Sequence, residues 1–358
     1  MSCYLKIVTF FCLSVCNFSY LYSFKDLEEF PQDFVKETKQ IFVPGYPHAF
    51  NPSIIKWKGR LLLSFRVIHG EELSAFPSAA QSDIGLIFLD SELNPIGEAQ
   101  FIFLDHPQKK RLRLLAEDAR LIVDQEELYV IYSANKEEKV TDAGFRVYVA
   151  QLIQMDHQFV VVHNECLSIF EGENQEKREK NWVPFFYHSN LLLAYYLRPH
   201  TIFKPRLDGS ERCDTLAKTI PSVVWQWGEL RGGTPAFLLD ENYYLSFFHS
   251  SVSMKTVHSN GESSVHYFIG AYLFSSTPPF EIKYISPEPI IGTNFYKGNS
   301  YAPYWHPVNV VFPGGLIIEE EEVMIVYGRQ DHEIWSAKLD KKQLIKSLIH
   351  VSTLKDKE

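Results

Sequence analysis

The sequence is short of cysteine and of positive charge. It has five cysteines in 358 residues, and Cys3, Cys12 and Cys16 all fall in its opening stretch. The remaining two, Cys166 and Cys213, are too few and too far apart for a disulfide scaffold or a zinc site, so they read as packing residues with a single bridge between them left open. Thirty-five Lys and Arg against 44 Asp and Glu leave a net charge of -9. That balance argues against a nucleic-acid partner, which needs a concentrated basic face. The one basic run, Lys109-Lys110-Arg111-Leu112-Arg113, leads straight into an apolar segment and reads as a solvated loop.

Other absences narrow the chemistry. There is no Walker lysine loop, dinucleotide glycine pattern or Gly-x-Ser-x-Gly elbow, so neither a nucleotide cofactor nor serine-hydrolase chemistry has support. His249, His258, His266, His306 and His332 do not stand at the close spacing of a metal motif, and no catalytic metal is expected. Long hydrophobic runs are missing too, and none approaches the roughly 18 apolar residues of a membrane span. The shorter run Ile7–Cys16 follows Lys6 and precedes Asn17, the layout of a signal peptide. The expectation is a leader over residues 1–23 and one domain over 24–358. The protein is then exported, periplasmic or secreted, if the leader is a signal, and cytoplasmic otherwise.

What is abundant is apolar and aromatic material, 46% and 15% of the chain, enough for a sizeable core. It is arranged as a repeat. Asn51–Arg66, Glu117–Ser133, Asn181–Arg198, Gly232–His249 and Asn309–Tyr327 share one plan: a polar or small opening, an apolar strand, a polar turn and a second apolar strand. These hairpins recur about every 50 to 80 residues, with further short strands such as Gly144–Ala150 and His266–Phe274 between them. Four strands in each of five units predict an all-β, five-bladed β-propeller. A pair of β-sandwiches would leave the period unexplained. Lys25–Thr38 has no clean helical period, and only Lys341–Ile349 reads as a helix.

A propeller sets the innermost strand of every blade around one axis, so the polar residues opening the hairpins converge on a shared pocket. Asp118, between Glu117 and the Ala119-Arg120 strand, is then a candidate proton donor to a glycosidic oxygen, provided burial raises its pKa. Lys180, Arg198 and His249 stand at the ends of core hairpins, and with the Tyr267 hydroxyl they form a donor set suited to an anion such as phosphate. Trp182, Trp225, Trp227, Tyr304 and Trp305 are candidates for stacking on sugar faces.

Taken in order, Asn51-Pro52 with Arg66, Glu117-Asp118-Ala119-Arg120, Lys180-Asn181, Gly233-Thr234-Pro235 leading to His249, Tyr267 to Ala271, Ser286 to Ile290, and Val310 to Gly315 leading to Tyr327-Gly328 and Asp331 resemble the motifs of glycoside hydrolase family 130. The similarity runs from about Asn51 to Trp335. It implies a five-bladed propeller acting on β-linked mannosides, by inverting phosphorolysis in most members and by hydrolysis in others. It further implies Asp118 as general acid, Asn51, Arg66 and Asp331 around the mannosyl unit, and Lys180, Arg198, His249 and Tyr267 around phosphate. No cofactor is implied. The expected partners are a mannose-containing oligosaccharide and inorganic phosphate, the latter as co-substrate. Two positions depart from the pattern: Ala119 stands where proline is common, and Lys297 where glutamate is usual near the acceptor.

Overall fold

The computed structural model describes residues 24–69, 81–104, 114–137, 144–174, 176–297 and 309–351. The leader, the basic run at 109–113, and Tyr304, Trp305 and His306 lie outside them. Strand follows strand almost without interruption, and the strands assemble into five antiparallel sheets. The first blade is β2 (Phe50–Trp57), β3 (Arg60–His69), β4 (Gln81–Leu89) and β5 (Pro95–Phe101). The second is β6 (Glu117–Asp124), β7 (Glu127–Asn135), β8 (Phe145–Met155) and β9 (Gln158–Leu167). The third is β10 (Val183–Tyr187), β11 (Asn190–Leu197), β12 (His200–Pro205) and β13 (Cys213–Thr219).

The fourth blade is built on two long strands, β16 (Tyr243–Lys255) and β17 (Ser263–Ser275), with β14 (Arg231–Gly232) and β15 (Phe237–Leu238) inside and β18 (Ile282–Ile285) outside. The fifth contains β19 (Val311–Ile318), β20 (Glu322–Arg329) and β21 (Glu333–Asp340), and its outermost strand comes from the other end of the chain: β1 (Val35–Ile41) pairs with β21 from Val35 opposite Leu339 to Ile41 opposite Ile334. The stretch around Lys25–Thr38 that lacked a helical period therefore ends in the strand that closes the ring. Asp340 caps α1 (Lys341–Ser347), the one α-helix among the described residues, by accepting from the Gln343 amide at 2.8 Å. The helix stops before Ile349, which joins β22 (Ile349–His350) at the rim of the fourth blade instead of extending the turn.

Burial explains why the inner hairpins stood out in the sequence. β2 and β6 are covered on both faces, so they read as apolar runs, whereas the outermost β9 alternates between exposed and half-buried positions. Five apolar clusters fill the five gaps between neighbouring blades. Leu62 and Leu86 meet Leu121 and Tyr148; Ile131 and Val149 meet Trp182 and Leu193; Phe185 and Ile202 meet Tyr244 and Phe274; Phe247 and Phe268 meet Val311 and Tyr327; and Val326 and Ile334 return to Ile54 and Phe65. The fifth contact brings the last blade back to the first, which only a closed ring allows. Near the axis the backbones nearly touch: a Cβ on Gly314 of β19 would lie 2.0 Å from the Pro52 carbonyl oxygen of β2.

The core also accounts for three other sequence readings. Cys166 and Cys213 are buried free thiols, not a bridge, and burial pushes each up to about 12. Trp182 is 1% exposed, packed against Phe170, Tyr195 and Phe203, so it is a core ring and not a sugar platform. Trp225 and Trp227 are held by hydrogen bonds to Ser250 and Glu288 respectively.

Candidate functional site

Three successive blades open on the same backbone irregularity. Asn51, Asp118 and Asn181 have φ of 46°, 57° and 64°, the left-handed region that Asn and Asp tolerate better than most side chains. After the first two the strand register slips, between Phe50 and Ser53 and between Glu117 and Arg120. Such bulges re-aim a side chain at the end of a strand. Here they turn the opening residues toward one another: Asn51 Nδ2 donates to Asp118 Oδ1 at 2.8 Å, and Arg120 of β6 reaches Asn181 Oδ1 at 3.3 Å.

Register also says which residues share this rim. Arg66 of β3 stands opposite Phe50, Ser133 of β7 opposite Glu117, His249 of β16 opposite Arg231, and Gly328 of β20 opposite Phe312. Counting the same two residues beyond the Val183–Ala194 pair, the third blade supplies Tyr196. His249 is thus the fourth blade's counterpart of Arg66, and Arg231 the counterpart of Glu117 and Lys180. Gly328 matters because a Cβ there would sit 2.3 Å from Asn51 Oδ1, and that oxygen is buried without a protein partner. Asp331, φ 53°, lies in the turn between β20 and β21.

Charge is segregated within the pocket. The carboxylates come from the second and fifth blades. Arg66 lies 3.0 Å from Glu117 and 3.7 Å from Asp118, and Arg178 pairs with the other Glu117 oxygen. Arg120 is 2% exposed and ties blades together, donating from Nε to the Gly233 carbonyl at 2.8 Å and from its terminal nitrogens to the Asp118 carbonyl and Asn181. Two further cations, Lys180 and Arg231, come from the third and fourth blades. Lys180 has no carboxylate partner among the described residues, and Arg231 is bound to Glu229 at 3.0 Å. A cleft of about 330 Å³ between these blades is lined by Lys177, Arg178, Lys180 and Arg231 together with the carboxylates Glu176, Glu179 and Glu229. A larger cavity of about 750 Å³ between the first and fifth blades contains none of the site residues, and its charges are paired, Lys56 of the first blade with Glu319 of the fifth and Lys338 with Glu37 within the fifth.

These surroundings drive the two acids apart. Burial alone would raise Asp118, but Arg66, Arg120, Lys180 and the Asn51 hydrogen bond outweigh it and hold the carboxyl below the usual range. This reverses the sequence expectation, because the buried site also encloses the cations. Asp331 is pushed up to about 6, by burial first and then by the Asp118 charge, against the pull of Arg66 and Lys180. His249 is driven down to about 3 by burial and by Arg120, Lys180 and Arg231. The Tyr267 hydroxyl is raised, by burial and then by Asp331.

The Asp331 shift has a sign that can be checked. Its ordinary value is 3.8 and its value in the fold is about 6, so the folded protein holds this proton more tightly than the unfolded chain does. The resulting stabilisation is complete below about 3.8 and is lost as pH rises through about 6. Asn cannot ionise. Asp331→Asn is therefore expected to melt with the wild type in acid and several degrees above it beyond about pH 6. Melting curves recorded across that range check it, and a constant difference at every pH would contradict the shift.

Of the sequence-derived residues, the structure brings together Asn51, Arg66, Asp118, Lys180, His249, Tyr267 and Asp331 through direct contacts or mutual electrostatics. Arg198 is not among them. It is exposed, lies two residues past the rim position held by Tyr196, and donates to the Val223 carbonyl at 2.8 Å. The guanidinium that register does place at the rim is that of Arg231, which is exposed and paired with Glu229. The signal for it was its place directly before Gly232-Gly233, matching Lys180 before Asn181. Lys297, the departure noted near the acceptor, is held 3.7 Å from Glu28, whose carboxylate also accepts the Lys297 amide at 2.8 Å. Among the described residues no group of three or more His, Cys, Asp or Glu could hold a metal ion.

No protein-family model matches the chain, and no curated protein matches it. Solved structures do. A glycosyl hydrolase from Bacteroides ovatus is 14% identical with a TM-score of 0.58, over 83% of this chain and 85% of its own. A mannose phosphorylase from Leishmania mexicana, in complex with phosphate ion, is 12% identical with a TM-score of 0.58, over 88% and 92%. A protein of glycoside hydrolase family 130, described as mannoside phosphorylases containing hydrolases that target β-1,2 mannosidic linkages in Candida mannan, is 13% identical with a TM-score of 0.59, over 83% and 85%. The chain shares the propeller fold of these proteins along most of their length.

Proposed function

We propose that this protein is a carbohydrate-active enzyme, an inverting phosphorylase that cleaves β-mannosides and releases mannose 1-phosphate. One observation carries the reading: the buried Asp118 and the half-buried Asp331 stand beside a cluster of cations in which Lys180, whose charge acts on both carboxylates, forms no ion pair among the described residues. Asn51, Arg66 and Asp331 are the groups that receive the mannosyl hydroxyls. Lys180, Arg231, His249 and Tyr267 receive the phosphate.

An inverting glycosidase needs an acid and, on the other face of the sugar, a base with its water. With phosphate as nucleophile the second carboxylate is unnecessary. A phosphate oxygen bonds to the anomeric carbon as the bond to the leaving oxygen breaks, and Asp118 gives that oxygen its proton. Asp118 is ionised in the empty site. A phosphate dianion beside Lys180 and Arg231 offsets the field that holds it down, so binding the nucleophile favours the protonated acid. The propeller fold shared with a phosphate-bound mannose phosphorylase supports this order of parts.

Incubation with mannose 1-phosphate and a panel of mannose and glucosamine acceptors is expected to release phosphate only when an acceptor is present. Asp331, a second carboxylate with a raised pKa, favours one competing reading, a β-mannosidase with Asp331 as base. Cleavage of a β-mannoside to free mannose at a rate independent of phosphate would establish that reading in place of phosphorolysis.

A further inference from the structure

His249 is held in one tautomer. Its Nδ1 lies 2.9 Å from the Gly232 carbonyl oxygen, and a carbonyl only accepts, so Nδ1 carries the hydrogen. The ring cannot turn freely to exchange its nitrogens. Tyr267 stacks on one face at 5.7 Å between centroids and 5° between planes, and the edge of Phe312 closes in at 4.7 Å and 66°. The residue is 2% exposed, and Nε2 has no hydrogen-bond partner among the described residues. A second proton would make the ring another cation beside Arg120, Lys180 and Arg231, and burial with those charges drives its pKa down to about 3. In the empty site His249 therefore presents a lone pair on Nε2, with its one N–H already committed to the Gly232 carbonyl.

A lone pair is an odd thing to present to an anion unless the anion brings a hydrogen. We infer that His249 makes this site selective for oxyanions that keep one O–H, accepting the P–O–H hydrogen of a phosphate dianion on Nε2 and rejecting dianions of the same shape and charge that have none. The inference rests on the phosphate site proposed above. Lys180 and Arg231 attract any dianion, while Nε2 distinguishes among them: against sulfate the lone pair meets another lone pair and stays unpaired in a buried site. A site built to take a particular hydrogen bond discriminates by leaving its own group unsatisfied when that hydrogen is missing. Losing a hydrogen bond to a charged group corresponds to about 10- to 100-fold in affinity.

The test is calorimetric titration of the full chain with inorganic phosphate, sulfate and monofluorophosphate at about pH 8, where phosphate is a dianion with one O–H and the other two are dianions with none. Phosphate is expected to bind about 10- to 100-fold more tightly than either. His249→Gln, whose carboxamide nitrogen donates, is expected to bring the three within a few-fold of one another, chiefly by gaining sulfate. Equal binding of phosphate and monofluorophosphate by the wild type would overturn the selectivity and leave the anion site standing. A preference that persists in a folded His249→Gln protein would overturn the role of His249. Failure of every dianion to bind would remove the phosphate site itself, and this inference with it. Should the variant not fold, the wild-type comparison of phosphate with monofluorophosphate decides alone.

Discussion

Asp118→Asn is expected to lower kcat for phosphorolysis by about 10²- to 10⁴-fold, the range supplied by a positioned proton donor. The substitution suits the site. An amide oxygen still accepts from Asn51 Nδ2, which now lies 2.8 Å from Asp118 Oδ1, so the contact between the first two blades persists. Arg66 keeps its nearer partner, Glu117, at 3.0 Å. What is lost is the ionisable group: its proton, its charge and the longer ion pair with Arg66. Because a negative charge disappears from beside the anion site, the KM for phosphate is expected to hold or fall while kcat collapses, a split that misfolding would not produce. The defect should shrink with a nitrophenyl leaving group, which departs with little need of protonation. Initial rates with natural and activated mannosides measure both effects, and an unchanged rate with the natural substrate would remove Asp118 from its role.

Much of this arrangement was legible in the sequence because propeller blades write their inner hairpins in apolar runs. β2 and β6 are buried on both faces, so each has an apolar stretch, Ile54-Ile55 and Leu121-Ile122-Val123, behind the polar residues that open it. Asp118 was found this way, Asn51 and Asn181 open their hairpins in the same plan, and the structure adds the reason for their type: each backbone is left-handed there. What stayed hidden depended on register or on distant partners. Arg198 looked equivalent to Arg66 because both end a hairpin, yet the register brings Tyr196 to the rim and carries Arg198 past it. The strand β1 has no pattern of its own, since its half-exposed residues are ordered by pairing with β21 nearly 300 positions away. The direction of the Asp118 shift was equally illegible. It is a contest between burial and three cations drawn from three different segments.

Arg120 shows how closely stability and chemistry are joined, and Arg120→Leu is expected to destabilise the fold by about 3–5 kcal/mol. The guanidinium is a three-way tie: from β6 it reaches the Gly233 carbonyl of the fourth blade at 2.8 Å, Asn181 Oδ1 of the third at 3.3 Å, and the Asp118 carbonyl of its own strand. Burial lowers its pKa only to about 10 because Asp118 and Glu117 oppose the effect, so it stays charged at neutral pH. Leucine fills part of the volume but leaves those oxygens unpaired at a residue 2% exposed, at a cost of about 1–3 kcal/mol for each group that water cannot reach. The carboxylate also loses one of the cations holding it down, so whatever folded protein remains should keep Asp118 protonated to higher pH. Two measurements separate the consequences. Denaturant titration should show the midpoint falling at constant slope. The pH profile of residual kcat/KM should move its alkaline limb upward, a shift that a purely structural lesion would not cause. Wild-type stability in Arg120→Leu would mean that the blades hold their positions around the axis without this tie.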